Sequence, residues 1–282
     1  MNSTLPDDWS PADNPYSIAL SESSWLRATV ALTVARMHGD DVPVGWFSSR
    51  QIDARTLVVA LRQLLAAVKL ERIALTNLGM DPAVITALDE AEQVFLDALP
   101  NIKHVRDGLT HFEDWARGEG GGPQKDARKT AEPRDVARDF WSFGYDPVAD
   151  TVTMGPYAIS VSAAVPAANA LCAAIYAATR AVDQRTTAEL RDQAVQALID
   201  ATISCTPPQG PVLVSQGHDA RVWLSLNLSS VPEAEHKELA ERVVTVMAHA
   251  GLRLTSSTFP EAQDITDRLV SDEPLRVERN SP

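Results

Sequence analysis

Between Asp53 and Asn77 the chain carries neither proline nor glycine. Leu57, Leu61, Leu64, Leu65, Val68 and Ile73 recur there at the spacing of a helix with one buried stripe. Such a helix draws most of its stability from whatever covers that stripe, so the fold must supply partners. Gly79 follows as a stop signal, and the neighbouring segments read as those partners. Asn14-Pro15 is a cap followed by proline at the first helical position, opening a helix with Ile18, Leu26, Val30 and Val34 near one face, as far as His38-Gly39. Asp81-Pro82 opens a third helix in the same way, with Val84, Leu88, Phe95 and Leu99 inward, until Pro100 breaks it. A fourth runs from about Asn101 to Arg117 and ends at Gly118. Four helices joined by short connections predict an antiparallel helical bundle. The loop between the first two, Gly39 to Ser49, holds Trp46 and Phe47 and is expected to be pinned onto the core.

Glu119 to Pro133, with Gly120-Gly121-Gly122-Pro123, reads as an exposed linker or mobile loop. Beyond it the period changes to two over Phe140–Tyr145, Thr151–Met154 and Tyr157–Val161, with Asp146-Pro147 and Gly155-Pro156 as turns, a β-hairpin insertion at about 139–161. Pro166 then opens an Ala-rich helix to about Val182. A domain boundary is expected near Val182 to Thr186, where Thr186-Thr187 looks like a new helix start running to roughly Ile203. Strands at Val212–Ser215 and Val222–Leu228, a helix from Pro232 to Ala250, a strand at Leu252–Ser256 and a short helix near Pro260–Val270 complete a small α+β segment. The expected organisation is thus mainly α: a disordered stretch over 1–14, a bundle over 15–183, an α+β domain over 186–270 and a frayed tail over 271–282.

Composition narrows the function classes. With 45% hydrophobic and 22% charged residues the chain has the make-up of a folded globular protein. A formal net charge of −13 opposes polyanions, so duplex DNA is not an expected partner. The 20 Arg against 5 Lys match a GC-rich bacterial genome. No stretch approaches the ~18 to 20 uninterrupted apolar residues of a membrane span, and Met1 to Pro15 has acidic residues but no Lys or Arg, so a cytoplasmic location without membrane partners is expected. Cys172 and Cys205 lack Cys or His at metal-ligand spacing and read as small buried hydrophobes. No cofactor is expected.

Chemistry is suggested at one place, Arg106-Asp107-Gly108-Leu109-Thr110-His111. This stretch resembles the Arg-x4-6-His motif of the HEPN superfamily, in which the motif lies on a late helix of a four- or five-helix bundle and a polar residue follows the Arg. The resemblance covers about residues 15 to 183, and the strands between Phe140 and Val161 are a departure from it. It implies a metal-independent endoribonuclease acting as a homodimer on RNA. His111 would move protons as the 2′-hydroxyl attacks the phosphate, Arg106 would stabilise charge on the phosphoryl oxygens, and Asp107 would orient its neighbours. Residues five apart on a straight helix point about 140° from each other. Convergence therefore calls for a facing helix from a second subunit or a distortion such as Gly108 permits. A second match to the spacing, Arg242 to His249, falls on a separate helix.

The same helix has a structural reading. Ile102, Val105, Leu109, Phe112 and Ala116 would form its buried face, and Arg106 would pair with a carboxylate. Glu22, on the first helix, is placed as a possible acidic partner for it. His104, Gly108, His111 and Trp115 would form a flank suited to docking a protein partner, making the chain a non-catalytic, acidic interaction module. The two readings differ on one observable: whether Arg106 and His111 share a cleft, or Arg106 is spent on a salt bridge.

Overall fold

The computed structural model describes residues 10–205, 210–217, 219–256 and 264–280. The protein is mainly α, with ten α-helices and three small sheets among the described residues. It divides into two compact units, one ending at Arg180 and the other beginning at Ala181.

In the first unit α1 (Pro15–His38) follows a short 3-10 turn over Pro11–Asp13, so the ordered chain reaches back to Ser10, into the stretch expected to be disordered. A two-stranded hairpin, β1 (Pro43–Val44) with β2 (Phe47–Ser48), leads into α2 (Ser49–Asn77). The helix begins earlier than Asp53 because the Asp41 carboxylate accepts from the Ser48 and Ser49 hydroxyls (2.7 and 3.2 Å), fixing the turn there. Asp53 is buried and pairs with Arg36 of α1 at 3.2 Å. At the other end Gly79 takes φ +60°, which lets Met80 N–H reach back to the Leu75 carbonyl (3.0 Å) and close the helix. α3 (Pro82–Ala98) starts where the Asp81 carboxylate accepts from Ala83 N–H at 2.9 Å. The core gathers Val30, Val34 and Met37, the Leu57–Leu61–Leu64–Val68–Leu75 stripe, Leu88, Phe95, Ile102 and Val105. Ile73, expected in the stripe, is exposed; Glu71, Ala74 and Leu75 hold the inward positions.

Several sequence expectations are corrected by the structure of this unit. The hairpin does not tuck its aromatics inward: Trp46 is fully exposed and Phe47 largely so. The fourth helix is split into α4 (Ile102–Thr110) and α5 (Phe112–Trp115). The glycine-rich segment is ordered structure, holding α6 (Pro123–Ala127) and α7 (Pro133–Phe140) around a buried Gln124 side chain. The strands that follow, β3 (Phe143–Asp146), β4 (Thr151–Met154) and β5 (Tyr157–Ser160), form one antiparallel sheet in that order. They lead into α8 (Val161–Asp200), which neither begins at Pro166 nor breaks near Val182. The Thr187 hydroxyl donates back to the Asp183 carbonyl (2.7 Å) and to Ala220 (3.0 Å), so it serves inside a helix instead of capping one. An 18-residue window of α8 has mean hydropathy 1.6, long and apolar enough by composition to cross a bilayer, which counting uninterrupted apolar runs overlooks. Its Ala168, Leu171, Ile175 and Ala178 are buried in the first unit.

The second unit packs the end of α8, α9 (His236–His249) and α10 (Ile265–Val270) with a four-stranded antiparallel sheet. Its strands are β6 (Val212–Gln216), β7 (Val222–Leu226), β8 (Leu252–Thr255) and β9 (Leu275–Arg279), in the order β6-β7-β9-β8. The stretch expected to be a frayed tail therefore supplies an interior strand, with Leu275 and Val277 in the core beside Val222, Leu224, Val243 and Met247. The segment from Pro232 splits into a 3-10 turn over Glu233–Glu235 and α9. The expected start of the last helix near Pro260 lies outside the described residues; Asp264 caps α10 through Thr266 N–H at 3.0 Å. Cys172 and Cys205 are free and buried.

Candidate functional site

The helix carrying the Arg-to-His motif stops one residue short of the histidine. Thr110 is the last residue of α4, and His111 takes φ −108°, ψ 42° between α4 and α5, its N–H still bonded to the Asp107 carbonyl (2.9 Å). The break turns Phe112 out to solvent and leaves Trp115 buried. The buried face is therefore Ile102, Val105, Gly108 and Trp115, not the expected Ile102–Val105–Leu109–Phe112–Ala116 row. Gly108 does not cause the bend. It is buried where a Cβ would lie 2.5 Å from Met154 Cε, so its role is close packing of α4 on β4.

On the outer side of α4 is a cleft of about 420 Å³ lined by Lys103, His104, Asp107, His111, Asp114 and Trp115, closed by Gly121, Gly122 and Pro123. Lys103 and Asp107, four residues apart, lie on one strip of α4, and His111 follows four residues later at the helix's C-terminal cap. Arg106, one step round, does not line the cleft; its guanidinium donates to the Asp107 carboxylate at 2.9 Å. Asp114 is held likewise by Arg117 (2.8 Å), which also binds Glu119 (2.8 Å). Both carboxylates of the cleft are thus neutralised by arginines outside it. Lys103 makes no ion pair among the described residues and stands as the cleft's own cation.

The frame beneath is aromatic. His104 lies against Tyr157 of β5 with ring centroids 4.5 Å apart; Tyr157 meets Phe140 at 6.2 Å, and Phe140 meets Trp115 edge-on at 6.3 Å. Burial raises the Tyr157 phenol above its ordinary pKa, keeping it neutral beside the imidazole. Asn101 ties the start of α4 to β5 through the Ala158 carbonyl (3.0 Å). The glycine wall is fixed by Gln124, whose buried amide donates to the Trp115 carbonyl (3.1 Å) and accepts from Gly120 N–H (2.8 Å). Gly118, at φ +72°, lets the chain pass so close to Pro133 that a Cβ would lie 1.9 Å from its carbonyl oxygen.

Of the residues singled out from sequence, His104, Asp107 and His111 share this cleft, Trp115 forms part of its floor, Gly108 is buried behind it, and Arg106 stands outside. Glu22 lines a different hollow with Leu26, Gln63, Ala66, Ala67 and Leu70, away from Arg106. Lys103 and the Gly121–Pro123 wall were missed. The four-residue spacing from Lys103 through Asp107 to His111 was the available signal; nothing local showed that the glycines fold back. Among the described residues no three His, Cys, Asp or Glu side chains gather as a metal site. No family model, no characterised protein and no solved structure matches the chain.

Proposed function

We propose that the chain is a metal-independent endoribonuclease whose working residues are His104, His111 and Lys103. The observation that carries this reading is two imidazoles and an ammonium with no ion pair among the described residues, lining one cleft whose carboxylates are paired with arginines. Breaking an RNA strand at its own 2′-hydroxyl needs a base, an acid and a cation, and imidazole serves as either of the first two near neutrality. One neutral imidazole takes the 2′-hydroxyl proton as that oxygen bonds to phosphorus. The other, protonated, gives its proton to the departing 5′-oxygen as the P–O bond breaks. The products are a 2′,3′-cyclic phosphate and a 5′-hydroxyl end, and Lys103 offsets charge on the phosphoryl oxygens. His104 and His111 both line the cleft of about 420 Å³ in which the phosphodiester would lie.

Relative to the HEPN resemblance this moves the cationic role from Arg106 to Lys103 and adds His104. Both imidazoles come from one chain, so the cleft needs no second subunit. We read the scaffold as a HEPN-like antiparallel helical bundle with β3–β5 inserted, followed by a small α+β segment; the short links from α2 to α3 and from α3 to α4 support it. On the observable set out above, Arg106 is spent on a salt bridge with Asp107 and shares no cleft with His111, as the docking reading expects. The ribonuclease reading therefore rests on His104, His111 and Lys103 alone. Of the docking flank, Gly108 and Trp115 are buried while His111 is exposed.

The test is incubation of the protein in EDTA with a single-stranded RNA and with the same sequence 2′-deoxy at every position. The reading expects cleavage of the RNA alone, leaving cyclic phosphate ends. Cleavage of both strands, or of neither, contradicts it.

A further inference from the structure

The most exposed apolar surface of the first unit lies at the hairpin: Val42, Val44, Trp46, Phe47 and Ile52 all face solvent. Isolated exposed apolar residues are ordinary, but five within one short segment mark a surface with a use. This surface runs into a second cleft, of about 460 Å³, lined by Phe47, Gln51, Ile52, Arg55 and Phe143. Its volume is in the range of small-molecule sites.

Arg55 gives the cleft its chemistry. Its guanidinium sits over the Phe143 ring, 4.7 Å from the centroid, and makes no ion pair among the described residues, in a chain with 38 Asp and Glu against 25 Lys and Arg. The ring attracts the guanidinium and holds it at the cleft, where its N–H groups can bind the oxygens of an anion. Local carboxylates are engaged elsewhere: Asp53 is buried against Arg36, and Asp41 holds Ser48 and Ser49. Phe143 is held by its strand, since the next inward residue, Tyr145, donates to Asp150 (3.1 Å), which also meets His38 Nε2 of α1 (2.9 Å). Phe47 presents an open aromatic face, and Gln51 carries an amide that both donates and accepts.

An aromatic wall, an amide and a stacked arginine together match a flat heteroaromatic ring carrying an anionic group. We infer that this cleft binds a nucleotide, its base on the Phe47 side and its phosphate on Arg55. The base-plus-phosphate chemistry is common to a free mononucleotide and to one unit of a single strand. The site stands independently of any catalysis at α4.

The experiment is calorimetric titration of the full chain with AMP, adenosine, inorganic phosphate and a single-stranded trinucleotide, repeated for Arg55→Gln and Phe47→Ala. Both substituted side chains are exposed, so the variants keep the fold, which circular dichroism verifies. Binding of AMP, weakened about tenfold or more in each variant and by removal of either the base or the phosphate, supports the site. Binding of the trinucleotide alone, with the same sensitivity to both variants, supports it and assigns the ligand to a strand. No binding of either nucleotide probe at millimolar concentration, or binding indifferent to Arg55→Gln and Phe47→Ala, overturns it.

Discussion

Replacing Glu71 with glutamine isolates one buried carboxyl group whose protonation the fold controls. Glu71 sits on α2 with its side chain fully buried. Oε1 accepts from the Thr179 hydroxyl of α8 at 3.2 Å, and Oε2 has no hydrogen-bond partner among the described residues. Burial disfavours the ionised form and pushes the group from 4.5 up to about 7, the Thr179 bond opposing this only in part. Between those pH values the folded chain keeps a proton that the unfolded chain has released. Stability is therefore fully present below about pH 4.5 and falls as pH rises through 7. The rise from 4.5 to about 7 corresponds, at about 1.4 kcal/mol per tenfold change in proton affinity, to a loss of about 3 kcal/mol. Glutamine keeps the shape and an acceptor for Thr179 but never ionises. Urea unfolding followed by circular dichroism at pH 5, 6.5 and 8 should show the variant close to wild type at pH 5 and more stable by about 3 kcal/mol at pH 8. A stability difference independent of pH, or a wild type that is the more stable at pH 8, would refute the reasoning.

Two further substitutions test the frame of the α4 cleft. Gly118→Ala places a methyl group against the Pro133 backbone at a left-handed residue and should cost about 3 kcal/mol or more, read as a lowered unfolding midpoint; a change within about 0.5 kcal/mol would mean the turn is free to relax. Gln124→Ala strands the buried Gly120 N–H and Trp115 carbonyl and should cost about 1–3 kcal/mol, with faster amide exchange at Gly120; unchanged exchange there would show that the amide is not the clip.

Much of the fold was legible because its signals are local. The Leu57–Val68 stripe, Gly79 and the proline-led starts at Pro15 and Pro82 act within a few residues of themselves, and α1, α2 and α3 follow them. Elsewhere the deciding contacts are distant in sequence. Thr187 looks like a cap until Ala220 offers it a second acceptor, and the segment at Leu275 becomes a strand because β7 and β8 leave a place between them. The glycine-rich segment is fixed by a single buried glutamine that no periodicity reveals. At the site, His104, Asp107 and His111 were recognisable from residue type, but the placement of Arg106 was not. A straight-helix projection does not foresee a break at His111, where neither proline nor glycine announces one.

The central claim is that the cleft, and not the linear Arg-to-His spacing, performs the chemistry. Rates of RNA cleavage in EDTA by His104→Ala and Arg106→Ala, measured beside wild type with both variants confirmed folded, separate the two. The cleft predicts that His104→Ala loses about 10²–10⁴-fold while Arg106→Ala, which removes only the partner of Asp107, loses less than His104→Ala does. The reverse order, with Arg106→Ala inactive and His104→Ala near wild type, would contradict it.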